Sequence, residues 1–187
     1  MSLLAVLRGH APADAAERRD LARIVSFAES HRDPFDRRIV EGHLTGSALV
    51  VSPDGAAVLL LHHRKLERWL QPGGHAEPGE AAGEAVALRE AREETGIPGL
   101  QLHPTAPRPL DVDVHDIPAR RDEPAHQHLD LRYLVLAPNG ARGRRLVAEA
   151  RALRWFGWDE LDPLDLDAGL VRALAKARAI LRGGSRA

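Results

Sequence analysis

The chain has 187 residues, 44% of them hydrophobic and 28% charged, and a formal net charge of −1. Such a length and composition exclude a disordered protein and point to one domain with a core. The near-neutral charge offers no basis for binding a nucleic-acid polymer or a membrane, and the lack of cysteine excludes disulfides, a thiolate nucleophile and cysteine-bound zinc.

In chain order, the first apolar run, Leu3 to Leu7, is too short for a signal-peptide core or a membrane span. Together with the missing cysteines, this fits a cytoplasmic protein. Residues 12–30 open on Pro12-Ala13-Asp14 and carry Leu21, Ile24, Val25 and Phe27 at helical spacing, which predicts an N-terminal helix. A polar connection, 31–41, follows. Two apolar runs, 46–51 and 56–61, flank Ser52-Pro53-Asp54-Gly55 and predict a hairpin. Residues 64–80 read as a loop. A helix is predicted over 82–95, stopped by Gly96 and Pro98. Strands are expected at 110–115 and 129–136 with a polar loop, 116–127, between them. Asn139-Gly140 is a turn signal, 152–158 another strand, and 168–181 a closing helix with Leu170, Ala173, Leu174, Ala177, Ile180 and Leu181 on or near one face. Alternating strands and helices of this kind build an α/β or α+β sandwich.

The central helix carries the chemistry. At 100° per residue, Glu90, Glu93 and Glu94 fall within about one quadrant, opposite Leu88, Ala91 and Thr95. Like charges so spaced repel by a few tenths of a kcal/mol per pair. A hard divalent cation with oxygen ligands removes that cost, whereas a solvated helix face simply tolerates it. Around the glutamates stand Gly73-Gly74, where backbone can approach a ligand, the Pro78-Gly79 turn, and Arg89, which can pin a carboxylate or bind phosphate. With about ten positions specified at roughly 5–8% average usage each, chance is far too rare to explain the match.

Gly74, Glu80 and the run Arg89-Glu90-Ala91-Arg92-Glu93-Glu94-Thr95-Gly96-Ile97 resemble the signature of the Nudix hydrolases, with one residue more than that pattern between Glu80 and Arg89. The resemblance implies an α/β/α sandwich with a mixed sheet, comprising a core over 43–181, a tail over 182–187 and an extra N-terminal helical segment over 1–42. It also implies Mg2+- or Mn2+-dependent cleavage of a nucleoside diphosphate linked to another moiety. On this resemblance Glu93, Glu94 and the Gly73 carbonyl hold metal, Glu90 binds a second ion or orients the water, and Arg89 holds the cluster in place. A further metal glutamate from a later loop is expected at Glu149.

Arg64, Lys65, His75, His126, His128 and Arg132 are candidate substrate contacts. His126, His128 and Asp130 alternate, so on a strand they share a face able to bind metal or phosphate. An isopentenyl-diphosphate isomerase, which shares the fold, needs a cysteine that this chain lacks. The remaining alternative is a non-catalytic Nudix domain serving as a nucleotide sensor or binding module. No further signal identifies the substrate, and the N-terminal helix suggests a homodimer contact.

Overall fold

The computed structural model describes residues 2–120, 123–143 and 150–184. Two helices come first, α1 (Leu3–Arg8) and α2 (Ala15–Ser30), capped by the side chains of Ser2 and Asp14. The strands are β1 (Gly42–Val51), β2 (Ala57–His63), β3 (Arg68–Leu70) and β4 (Gly73–His75), followed by helix α3 (Gly83–Thr95). Then come β5 (Gln101–Leu102), β6 (Asp111–Ile117), β7 (His126–Leu136) and β8 (Ala150–Gly157), and helix α4 (Ala168–Gly184) ends the described chain. Among the described residues no helix is long and apolar enough to cross a membrane.

All eight strands form one mixed sheet. Its spine is a parallel pair, β1 and β7, in continuous register from Gly42↔Gln127 to Val51↔Leu136. β2 and β4 flank β1 antiparallel, β6 and β5 flank β7 antiparallel, and β3 and β8 pair with β2. Side chains alternate between the two faces. Leu44, Ala48 and Val50 of β1 pack with Leu129, Leu131, Tyr133 and Val135 of β7 against Val86, Ala87 and Ala91 of α3. Leu49 and Val51 turn the other way, joining Leu134 and Leu170, Ala173 and Leu174 of α4. The result is an α/β/α sandwich, with α3 ending in the left-handed turn (φ +65°) that Gly96 accommodates.

The N-terminal segment is built into this sandwich. Leu7, Ile24 and Phe27 are at most 1% exposed and belong to the same core as α3. Each such side chain contributes about 1.5–3 kcal/mol on burial. The apolar face of α2 is therefore spent within the chain.

Glu17 of α2 fastens the segment electrostatically. Fully buried, it accepts from Lys176 of α4 at 2.5 Å and from the backbone N–H groups of Ala13 at 2.6 Å and Val112 at 3.3 Å, and pairs with His10 at 2.7 Å.

Several boundaries differ from the sequence reading. β1 begins four residues early and β7 three, so the polar residues 126–128 lie on a strand, because the long parallel register and the β6 ladder override their composition. The expected 64–80 loop contains β3 and β4. The helix α1 was also hidden, and α4 runs to Gly184, into the expected tail.

Candidate active site

The site starts from the sheet's period of two. Odd residues of β1 and even residues of β7 share a face, so at one end of the sheet polar side chains form rows across the strands. One row is His43, His128 and His115. The next is His75, Thr45, Asp130 and Asp113, and the third is Gly73, Ser47, Arg132 and Asp111. Toward the other end the same face becomes apolar at Leu49 and Leu134, where α4 covers it.

Buried Asp130 accepts from Thr45 Oγ1 at 2.9 Å and Ser47 Oγ at 2.5 Å. Arg132, also buried, donates to Asp130, Asp111 and Asp113 at 3.2, 3.3 and 2.9 Å. Its charge is thus already matched by three carboxylates, and Arg172 of α4 reinforces Asp111 at 2.7 Å. Burial works to raise the Asp113 carboxyl, but the His115 hydrogen bond and the Arg132 charge outweigh it and hold the group at about 2.

On the other side of β4 lies α3. Arg89 of this helix donates to Glu80 through Nε and Nη2 at 3.0–3.2 Å. Its Nη1 donates to Glu90 at 3.1 Å and Glu93 at 3.0 Å, and Nη2 also donates to the His75 carbonyl at 2.6 Å. One guanidinium thus ties three carboxylates of α3 and its leading loop to β4. Glu94 accepts from the Gly73 backbone N–H at 2.9 Å. The extra residue before Arg89 is absorbed by Ala81 and an extended Ala82, after which α3 starts at Gly83, leaving Glu80 within reach of Arg89.

Gly74 permits a close approach, since a Cβ there would stand 2.6 Å from the Glu90 carboxylate. Burial raises the Glu90 pKa above the ordinary carboxylate range, and Glu93 and Glu80 add to this against the pull of Arg89. Glu80 is lowered, chiefly by its hydrogen bonds from Arg89.

These walls enclose a cavity of about 1030 Å³. Gly73, Glu90, Glu94, His75, His126, His128 and Arg132 all line it, with Arg37, Arg68 and Arg120 adding positive charge. Glu93 opens instead on an adjoining depression that shares Glu90 and His75. Arg64 and Lys65 stand exposed between β2 and β3, outside the cavity lining. Glu149 lies outside the described residues.

The histidines gather more closely than their sequence positions suggest. His75 Nε2 is 3.1 Å and His126 Nε2 3.3 Å from His128 Nε2. The ring of His43 stands 5.0 Å from those of His75 and His128 and 5.2 Å from that of His126. His43 is 1% exposed, and neither of its ring nitrogens has a hydrogen-bond partner. An unsatisfied buried group of this kind costs about 1–3 kcal/mol. Burial, followed in each case by neighbouring positive groups, lowers His43 to about 4, His75 to about 3 and His128 to about 2. All three rings are therefore neutral at pH 7. Sequence reasoning passed over His43, Thr45, Ser47 and Asp113. The alternation His43-Thr45-Ser47 ahead of an apolar strand was the one signal available.

Comparison with known proteins bears on what this cavity does. The NUDIX domain pattern matches residues 43–177. A Bacillus subtilis (strain 168) protein named "Putative 8-oxo-dGTP diphosphatase" is 34% identical over 84 residues, which is 45% of this chain and 49% of that protein. The chain thus spans about half the length of the curated relative it matches. Among solved structures, a C. elegans Ap4A hydrolase in a binary complex superposes with TM-score 0.59 at 21% identity, over 75% of this chain and 98% of the other. The NUDIX domain of Shewanella oneidensis NrtR, crystallised with ADP ribose, gives 0.53 at 19% identity, over 82% and 96%. At these identities the two structures establish a shared fold.

Proposed function

The chain belongs to the NUDIX family, and on that premise we propose that it is a pyrophosphohydrolase cleaving the diphosphate linkage of a nucleoside diphosphate derivative with water. The observation that carries this reading is that Glu90 and Glu94, from one helix, face a cavity walled by Gly73, Gly74 and His75. The donor set fits a hard divalent cation. Three carboxylates surround one arginine, and Glu90 is pushed up in pKa by burial and its acidic neighbours, a cost that bound positive charge relieves.

Glu90, Glu93, Glu94 and the Gly73 carbonyl are the groups that would hold Mg2+ or Mn2+. Such an ion, when bound, neutralises the diphosphate and acidifies water. The chain's own residues do the rest. Glu90, half-buried and raised in pKa, accepts the proton of the attacking water. Arg89 fixes the orientation of Glu90 and of the β4 backbone. Arg37, Arg68 and Arg120 at the rim attract the polyanionic substrate. Arg132, held by three aspartates, orders the cavity floor instead of meeting phosphate directly. The cavity accommodates a nucleotide-sized ligand.

The test is a screen of nucleoside triphosphates, nucleotide sugars, ADP-ribose and dinucleoside polyphosphates with Mg2+ or Mn2+. Release of phosphate or mononucleotide is expected, and Glu90→Gln should reduce kcat by about 10²–10⁴-fold. Tight nucleotide binding without turnover in the wild type would instead establish a binding module.

A further inference from the structure

We propose that His43, His75 and His128 form a second metal site, for a zinc-class transition ion, separate from the oxygen-donor cluster on α3. One ligand atom from each residue lies within 4.8 Å of the others. The Nε2 atoms of His75 and His128 are 3.1 Å apart. Two nitrogens each about 2.0–2.1 Å from a tetrahedral zinc stand about 3.4 Å apart. The separation already present therefore needs only slight side-chain adjustment.

Proton accounting supports a cation. His126 Nδ1 faces the Pro124 carbonyl at 2.9 Å and so must donate, so that any lone pair on this ring is on Nε2. That lone pair faces His128 Nε2 at 3.3 Å, and His75 Nε2 faces the same atom. Where His128 Nε2 carries a proton, two neighbours compete for it. Where it is bare, two lone pairs oppose each other across the His126 contact. No pair of neutral tautomers gives both contacts a proper two-centre hydrogen bond, whereas an ion accepts every lone pair at once.

His43 gives an independent indication. Its ring is buried with both nitrogens unpartnered, an arrangement that a metal bond from one of them would relieve. The fold also fixes the set rigidly. His43 and His128 are register partners on the parallel β1–β7 pair, and His75 is held through its carbonyl by Arg89. Neutral imidazoles favour zinc, cobalt, nickel or copper over magnesium, so the two sites differ in the ion they select. His75 and His128 line the same cavity as Glu90. His126 stands beside them as a fourth donor.

The experiment titrates Co2+ into untagged, metal-stripped full-length protein and records visible absorption. One equivalent should give the ligand-field bands of a low-coordinate nitrogen site, displaced by Zn2+ and unaffected by excess Mg2+. His128→Asn and His75→Gln should remove the bands and weaken binding by more than about tenfold, while Glu90→Gln/Glu94→Gln retains them. His43→Phe, which fills the buried space, should do the same as His128→Asn. Circular dichroism confirms folding, and the two cavity-facing histidine variants decide the matter if His43→Phe does not fold. Absence of the bands in the wild type, their persistence in the histidine variants, or their loss in the glutamate variant would overturn the proposal. The readout is metal binding, so it stands or falls independently of hydrolysis.

Discussion

Replacing Arg89 by lysine tests whether the guanidinium fork, and not simply its charge, sets the geometry of the site. The fork reaches four groups: Glu80, Glu90, Glu93 and the His75 carbonyl. The Glu93 side chain is 53% exposed, so that pair contributes little. The other three contacts are largely shielded, and hydrogen bonds involving a charged group contribute about 1.5–3 kcal/mol each. A lysine ammonium has no fixed fork and reaches one or two of the three. At least one contact is lost, which costs about 1.5–3 kcal/mol or more. Were this expressed wholly in the transition state, kcat would fall by at least about 10–150-fold. Steady-state kinetics on the best substrate from the screen, with KM determined separately, measures the effect. Urea unfolding of the same variant reports any accompanying loss of stability. A kcat within about threefold of wild type in a folded variant would show that the fork does not position Glu90, and the positioning argument would fail.

Glu17→Leu matches the shape of the glutamate but leaves Lys176 and the Ala13 and Val112 N–H groups without their acceptor. It should destabilise the protein by about 3–5 kcal/mol in urea unfolding followed by tryptophan fluorescence. Glu29→Gln, on the exposed side of the same helix, should change it by less than about 1 kcal/mol. An equal, small effect of both substitutions would refute the buried anchor. Asp113 is held at about 2 against an ordinary 3.8, so its contribution is fully present above pH 4 and is lost as pH falls toward 2. That contribution is about 2 kcal/mol, and Asp113→Asn should flatten the unfolding midpoint over this acid range. An unchanged acid profile in the variant would argue against the Arg132–His115 clamp.

The carboxylate helix was legible because its signal is local. Glu90, Glu93 and Glu94 need only helical periodicity to share a surface, and Gly96 marks where the helix stops. The histidine cluster was not legible to the same degree. His126 and His128 read as a pair through strand alternation, but His43 sits on another strand far away in sequence, and only pairing register brings it alongside. The short strands β3, β4 and β5 escaped because two or three residues carry no periodicity, and β7 was read short because polar residues at its start are held by neighbours on both sides. The aspartate partners of Arg132 were not legible, because they come from two strands and register decides that they meet. The integration of α2 was hidden for the same reason, since the partners of Glu17 lie in α4 and β6.

The parallel pairing of β1 with β7 also has a kinetic consequence. Thr45 and Asp130 lie 85 residues apart in the chain yet share a hydrogen bond, and the histidine and aspartate rows all straddle that seam. Closing so large a loop is slow and comes before its contacts can compensate the lost entropy. The α3 carboxylates can assemble locally, but the imidazole row exists only once this closure is complete. In refolding, burial of His43 beside His128 should therefore mark the late, native-forming phase, which makes the site a reporter of completed topology as well as a place for chemistry.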